Sequence, residues 1–431
     1  MRLFPAPSAC AIAAAAVVSL VPVHARAGGF ELFEQGARSM GFANAFTAQA
    51  SDPSAIFHNA AGIAFLKGRQ LSIGGALQMP RTTFTGSDPF PGAGVAERTE
   101  NLNLLPPAVF YTHQFSERLV LGAGLTRPFG VRTRWESPET FSGRFLAQRT
   151  EISAYSINPT AAYRLADRLA IGAGIDVRLS TVAVRRRFPG VLPVSEEVVD
   201  AASVRVDGDR TTAVGFNVGV LARPVDNLSV GAQYRHGATH NYRGEAEFSL
   251  LPTGSPALDA AVAEVIPAGT LPVRTSIRFP ASITAGAAYQ WGDWTFAGDV
   301  GVWMWSKFRQ VAFDFEGRDD LREVVVENYA DSLQFRVGAE RRLGPTWAVR
   351  GGLLLDDSPA PAASLSPLLF DADRNGFTLG GSWQQGAWRI DAAAALVQSR
   401  ARSTAGTSGD GYDGTYKTRA PSAALSIGYV F

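Results

Sequence analysis

The chain has 431 residues, 46% of them hydrophobic and 18% charged, and its 40 basic and 39 acidic side chains nearly cancel. This balance argues against a nucleic-acid partner, because proteins that bind nucleic acids carry clustered basic excess. The single cysteine, Cys10, excludes a disulfide framework. Mean hydropathy is close to zero, as expected when only every second residue is apolar, although a large secreted sandwich protein would fit the composition too.

Residues 1–27 have the pattern of a secretory signal peptide. Arg2 gives a positive start, residues 9–23 form an apolar run, and Ala25-Arg26-Ala27 is a small-x-small cleavage site. The run is too short and too interrupted by proline for a retained membrane helix. Cleavage after Ala27 would take the basic residues from 40 to 38 against 39 acidic ones, a net charge of −1.

Residues 28–67 lack the two-residue period of a strand. The stretch 34–41 favours a helix, Asp52-Pro53-Ser54 begins a second short helix, and Asn59-Ala60-Ala61-Gly62 ends it as a turn. A compact segment of about forty residues has the right size for a plug inside a barrel lumen. The alternative is a periplasmic tail without a gating role, but recurrent hydrophobic side chains argue against a solvated tail.

From residue 69 onward the sequence repeats one hairpin unit. Six short polar turns would join twelve strands, and a first strand near 69–83 and a last near 416–431 bring the total to fourteen. The short turns are 116–118, 166–168, 225–227, 292–293, 344–346 and 385–387. The expected long connections are 132–143, 185–210, 250–273, 315–322, 356–374 and 403–415. Short turns on one rim, long loops on the other and an even strand number are typical of outer-membrane barrels.

The last strand shows the alternation most clearly. Leu425, Ile427, Tyr429 and Phe431 share one face, and small residues share the other. An edge strand of a soluble sandwich would expose this aromatic face unpaired, which proteins usually avoid. The sequence therefore predicts an all-β fold, a 14-stranded antiparallel transmembrane β-barrel. Charged residues at inward positions imply a lumen that holds water or a plug, and the simplest interpretation of each one is a polar network that stiffens the wall.

No enzymatic motif accompanies the histidines that follow the signal. These are His58, His113, His236 and His240. His236 and His240 lie four apart in a strand, roughly 13 Å at strand rise, which is too far to share a metal. Residues 371–376 resemble the start of a calcium loop, but Ser382 replaces the closing glutamate. We expect no enzyme activity, no cofactor and no metal.

Several segments together carry a resemblance to the FadL family of outer-membrane transporters for long-chain fatty acids and aromatic hydrocarbons. Those resembling its N-terminal hatch are Gly29–Leu32, Gly41–Ala43 and Ser51–Gly62. Those resembling later family segments are Pro106–Tyr111, Gly122–Leu125, Phe129–Val131, Asp356–Pro359 and Asp371–Arg374. Asn59-Ala60-Ala61 stands where the family usually has Asn-Pro-Ala, which keeps the asparagine. The resemblance covers residues 28–431.

The resemblance implies a signal peptide at 1–27, a hatch at 28–67 and a barrel at 68–431. It further implies an extracellular groove, an inner pocket and a lateral exit through the wall beside a kinked third strand. Pro128 and Gly130 could produce that kink, because proline removes a ladder donor. The expected location is the Gram-negative outer membrane, with lipid and lipopolysaccharide as neighbours and a monomer as the working form.

Candidate site residues follow from the same resemblance. Arg187-Phe188 matches a family pair whose arginine lies in the inner pocket, where its guanidinium group could pair with a carboxylate through two hydrogen bonds. Arg127 occupies a further pocket position, whereas the second basic residue of the fatty-acid transporters falls near Val325 and is absent. Fatty acids and neutral aromatic hydrocarbons therefore both remain open as substrates. For Arg185 and Arg186 we favour a basic rim facing lipopolysaccharide phosphates.

The remaining candidates concern the hatch and the late signature. Phe30 matches an aromatic that reaches into the binding pocket, as a gate or as an inert anchor for the plug. Asn59 is a hatch candidate, and Asp356 is a substrate-binding candidate. Functional alternatives are a structural or adhesive barrel whose plug never moves, and a general porin, which a plug would oppose.

Overall fold

The two-residue period of the sequence produces long antiparallel strands across most of the chain. The computed structural model describes residues 28–431, so the expected signal peptide lies outside the described residues. The strands are β1 Arg69–Gln78, β2 Arg81–Gly86, β3 Ala96–Arg98, β4 Pro107–Gln114, β5 Leu119–Arg134, β6 Arg149–Ala166, β7 Leu169–Val191, β8 Val198–Val225, β9 Leu228–Arg235, β10 Ala238–Leu250, β11 Gly269–Phe279, β12 Ser282–Trp291, β13 Trp294–Trp303, β14 Gln310–Phe315, β15 Glu323–Val326, β16 Ser332–Leu343, β17 Trp347–Asp356, β18 Arg374–Gln385, β19 Trp388–Ser399, β20 Arg402–Ser403 and β21 Gly414–Val430.

These segments make fourteen passes of one closed antiparallel barrel, which confirms the predicted fold class. Seven passes consist of two segments each: β1 and β2, β3 and β4, β9 and β10, β11 and β12, β13 and β14, β15 and β16, and β19 and β20. The barrel closes because β1 pairs with β21, from Gln70↔Val430 to Gln78↔Ser422. The short turns fall where the sequence places them, since only two or three polar residues can connect adjacent strands there.

The long connection expected at 185–210 is mostly strand. The β7–β8 ladder continues through Arg185↔Arg205 to Val191↔Val198, which leaves only residues 192–197 as a loop. The physical reason is that the alternation persists, with Val184, Val204 and Val206 buried on one face. The connection at 250–273 holds a helix, Pro256–Val265, which is α3 in chain order.

Residues 28–66 fill the lumen as a plug. They contain α1 (Ala37–Gly41), α2 (Ala55–His58) and a 3₁₀ turn at Ala60–Phe65. Wall glycines permit close backbone approach, because a Cβ at Gly172 would lie 2.4 Å from the carbonyl carbon of Ala60. Among residues 28–431, no helix is both long and apolar enough to cross a membrane.

Hydrogen bonds and ion pairs fix the plug to the wall. The backbone N–H groups of Phe46 and Thr47 donate to the Asp299 carboxylate of β13 at 2.9 and 2.8 Å. Arg38 of the plug pairs with Glu340 of β16 at 3.8 Å. Glu340 also pairs at 2.9 Å with the buried Arg350 of β17, which in turn pairs with Asp391 of β19 at 3.0 Å. These inward charges therefore stiffen the wall and hold the plug, which agrees with the simplest interpretation of their positions.

Candidate functional site

An apolar cavity of about 390 Å³ lies between the distal ends of β7 and β8 and the β14–β15 hairpin, on the rim opposite the short turns. We call it the outer cavity. Its apolar walls are formed by Val184, Val204, Val206, Phe313, Phe315, Val325 and Leu368. Its charged groups include Arg186 and Glu323, which pair with each other at 2.5 Å, and Glu327.

A smaller cavity of about 170 Å³ lies deeper, beside the start of the plug. We call it the inner cavity. Its lining comprises residues 29–34 of the plug, residues 130–133 of β5, Tyr329 and residues 369–372. Residues far apart in the chain thus form one pocket, because the plug and two outer loops meet against the inner face of the third pass.

The Phe30 side chain is 6% exposed and packs edge-on within a group of aromatic rings. Its centroid lies 4.7 Å from Trp305, 5.6 Å from Phe279, 5.8 Å from Phe308 and 6.3 Å from Phe129. Edge-to-face pairs at such distances are each worth about 0.5–1.5 kcal/mol beyond area burial. A ring-sized apolar site is therefore already formed, and Phe30 occupies it.

The wall is incomplete beside this aromatic group. The β4–β5 ladder ends at Val109↔Leu125, and the outer part of β5 regains a partner only at Thr99↔Trp135. Between these points, and among the described residues, the backbone of β5 pairs on this side with the plug. Leu32 N–H donates to the Pro128 carbonyl at 2.9 Å, and Gly130 N–H donates to the Phe30 carbonyl at 3.0 Å. The plug thus covers an open strand edge, which proteins otherwise blunt or pair.

The bend that opens this edge lies at Arg127 and Pro128. The β5–β6 register shifts between Thr126 and Phe129, as expected where proline cannot donate to the ladder. Arg127 is buried, with its guanidinium carbon 5.6 Å from the Tyr155 ring. A Cβ at Gly130 would lie 2.9 Å from that guanidinium, so glycine makes room for it. The two candidate kink residues thus lie together with Arg127 and Phe30.

Arg187 does not lie where the resemblance places it. It faces away from both cavities and pairs with Glu139 and, at 3.7 Å, with Asp200. Its neighbour Arg186 lines the outer cavity instead and lies over the Phe188 ring, 4.7 Å from the centroid. The reason is strand alternation, which puts Arg186 and Phe188 on the inward face of β7 and Arg187 on the other.

Of the other candidates, Asp356 lies beside the inner cavity and Asn59 lies in the plug. Asp356 is buried at the end of β17, opposite Arg374, which lines the inner cavity. Asn59 lies deep in the plug, where its Nδ2 donates to the carbonyls of Thr47 and Val220 at 2.9 and 3.0 Å. This position ties the plug to β8, far from the aromatic group.

Sequence reasoning did not identify the aromatic and acidic residues from the interrupted ninth and tenth passes. Trp305 and Phe308 follow the end of β13, and Glu327 and Tyr329 precede β16. The available signal was the unbroken apolar run Val302-Trp303-Met304-Trp305, where the alternation of the strand is lost. Within residues 28–431, no group of three or more His, Cys, Asp or Glu side chains is placed to hold a metal.

Comparisons with known proteins agree with this architecture. The family model described as outer membrane protein transport protein (OMPP1/FadL/TodX) matches residues 18–431. The chain therefore belongs to this family and is an outer-membrane protein. It is similar to the long-chain fatty acid transport protein of Salmonella typhi, with 22% identity over 84% of this chain and 85% of the relative. It is also 24% identical to a 47 kDa outer membrane protein of Pasteurella multocida, over 86% of this chain and 87% of the relative.

Two solved structures share the fold. A Pseudomonas aeruginosa FadL homologue superposes with a TM-score of 0.81 at 18% identity, covering 94% of this chain and 100% of that one. The Ralstonia pickettii toluene transporter TbuX gives a TM-score of 0.70 at 18% identity, covering 93% and 100%. At these identities the likeness concerns the fold.

Proposed function

We propose that this protein transports hydrophobic compounds across the outer membrane, long-chain fatty acids first and aromatic hydrocarbons as the alternative. The observation that carries the proposal is the open edge of β5, which the plug covers beside a preformed aromatic site. The relatives named as fatty acid transport proteins support the first substrate class, and the toluene transporters support the second. In this proposal residues 28–67 act as the hatch, residues 68–431 as the barrel, and no chemical conversion takes place.

The proposed route has three steps. A ligand is captured in the outer cavity, moves to the inner cavity and displaces Phe30, since both compete for the same apolar surface. It then leaves sideways beside Pro128 and Gly130 into the lipid. Lateral exit is favourable because a hydrophobic molecule gains nothing by entering water, whereas burial in lipid gives about 25 cal/mol per Å² of apolar surface.

The rival proposals differ in what the plug does. A structural or adhesive barrel would need the plug only as a fixed filler, and the ion pair of Arg38 with Glu340 of the wall is compatible with that role. A general porin would need an open lumen, which residues 28–66 oppose. We also propose a monomer whose rim arginines, such as Arg185, face lipopolysaccharide.

Uptake of two labelled compounds tests the proposal. Cells that lack their own channel of this family should take up oleate or toluene at least several-fold faster when they express this protein. The reason is that an outer membrane coated with lipopolysaccharide slows hydrophobic compounds unless a protein route exists. Unchanged uptake of both compounds, with the barrel present in the membrane, would reject transport in favour of a static barrel.

Arg187→Ala separates a head-group role from an architectural one. Because Arg187 pairs with Glu139 and Asp200, we expect its loss to loosen the 139–144 connection by about 1.5–3 kcal/mol and to reduce oleate and toluene uptake by equal factors. Initial uptake rates measure this, with the exposed Arg342→Ala as control. A loss confined to oleate would instead support the proposed pairing of Arg187 with a carboxylate.

A further inference from the structure

The linings of the outer and inner cavities adjoin at two short chain segments, and we call the boundary between the cavities the passage. Glu327 and Asn328 line the outer cavity, and the next residue, Tyr329, lines the inner one. Across from them, Leu368 lines the outer cavity while residues 369–370 line the inner one. The Tyr329 ring lies 4.9 Å from Phe308 and 5.9 Å from Trp305, which itself contacts Phe30. The passage therefore lies on the proposed route of a ligand from the outer cavity to the inner cavity.

Glu327 is an unusual residue for such a place. Its side chain is 1% exposed, and within residues 28–431 its Oε2 atom has no hydrogen-bonding partner. A buried carboxylate normally pairs with a cation or several donors, because burial otherwise costs several kcal/mol. The nearby cation of the outer cavity, Arg186, is already paired with Glu323 at 2.5 Å. The surroundings of Glu327 therefore disfavour any negative charge, its own or that of a ligand.

We propose that this passage admits hydrophobic ligands in uncharged form, and that the Glu327 carboxyl is the specificity-determining group that excludes anionic head groups. The inference rests on the proposed transport function and narrows its substrate class. A fatty acid would pass as the protonated acid, and neutral hydrocarbons would pass freely. Two carboxyl groups forced together in an apolar site cannot both ionise, so an ionised ligand meets the strongest opposition when Glu327 is itself ionised.

The pH dependence follows from the state of this carboxyl. Burial raises the pKa of Glu327 to about 8. Glu327 is therefore neutral below about pH 8 and negative above it, where exclusion of anions should strengthen. The other ionisable groups facing this point are Arg186, Glu323, Asp410, Tyr329, Asp371 and Arg402. Burial raises the pKa of Asp371 only to about 6, so that group is already mostly ionised at pH 7, and burial raises the pKa of Tyr329 well above 10.

Two probes of equal chain length test the proposal. Hexadecanol is uncharged, and hexadecyl sulfate, used at submicellar concentration, is an anion at every pH in the experiment. Initial uptake is measured at pH 7 and pH 9.5 in cells with and without the protein. We expect hexadecanol uptake to change less than twofold, while hexadecyl sulfate uptake is slower at pH 7 and falls about tenfold further at pH 9.5, the size expected for repulsion between two like charges.

Glu327→Gln keeps the shape of the side chain and removes its charge. This variant should lose the tenfold fall at pH 9.5 and keep hexadecanol uptake within twofold of wild type. Glu316→Gln, at an exposed position outside both cavities, is the matched control and should retain the fall. If Glu327→Gln does not reach the membrane, Glu327→Ala replaces it, and equal hexadecyl sulfate uptake at both pH values in the wild type still overturns the proposal, because the charge of the sulfate does not titrate.

The outcomes distinguish the role of Glu327 from the transport function itself. Hexadecyl sulfate uptake that is equal at both pH values, or that falls equally in Glu327→Gln, would overturn the role of Glu327 and leave transport standing. If neither probe enters faster than it enters cells without the protein, the transport function is overturned, and this inference with it.

Discussion

Oxidation of a Glu31→Cys/Phe129→Cys variant should abolish uptake of oleate and toluene, and reduction should restore it. Glu31 and Phe129 lie directly opposite in the short antiparallel bridge between the plug and β5. The hydrogen bonds flank this pair, from Leu32 to Pro128 and from Gly130 to Phe30, which makes it a non-hydrogen-bonded pair. Such pairs have Cα atoms about 4.5 Å apart, within the range that a disulfide accepts.

The cross-link tests whether the plug must leave the edge of β5. A covalent bond there keeps Phe30 in its aromatic site and keeps the gap in the wall covered, so a route through either is closed. Each single-cysteine variant, treated with the same oxidant, controls for the loss of the Glu31 or Phe129 side chain. Wild-type transport through fully cross-linked protein would show that Phe30 is an anchor and that the N-terminal segment is not the gate.

Arg350→Ala should destabilise the wall beneath the plug by about 3–5 kcal/mol, the usual cost of breaking a buried ion pair by removing one partner, and should thereby loosen the plug that packs on it. Arg350 is fully buried between Glu340 and Asp391, which both lose their shared cation. Its aliphatic part also packs against α1, where a Cβ at Gly41 would lie 2.6 Å from the arginine Cδ. Hydrogen–deuterium exchange should therefore accelerate in residues 36–52.

A second readout follows from the same loosening. Cells that carry Arg350→Ala should become more sensitive to large hydrophilic antibiotics, because a mobile plug opens the lumen intermittently. Arg342→Ala, at an exposed position near the short turns, should leave both exchange and sensitivity unchanged. Unchanged exchange in Arg350→Ala would mean that Arg38 of the plug, which reaches Glu340 of the wall at 3.8 Å, suffices to hold the plug.

The sequence by itself determined the barrel. Alternation and short polar turns are local signals, since each depends only on neighbouring residues and on the geometry of a strand. The final strand illustrates this, with Leu425 and Ile427 exposed outward and Ala424 and Ser426 buried inward. The fourteen passes could be counted for the same reason. The prediction of a loop at 185–210 was wrong because charged residues on the outer face of β7 and β8 concealed an alternation that continues.

Only the tertiary structure decided the site. The choice between Arg186 and Arg187 depends on which face of β7 the cavity covers, and the 139–144 connection, distant in sequence, buries the other face. The aromatic group joins Phe30, Phe129, Phe279 and Trp305 from four separate stretches. No spacing rule links them, because their proximity is set by the closure of the barrel around the plug. The burial of Glu327 has the same origin, since it arises where an outer loop folds back between two cavities.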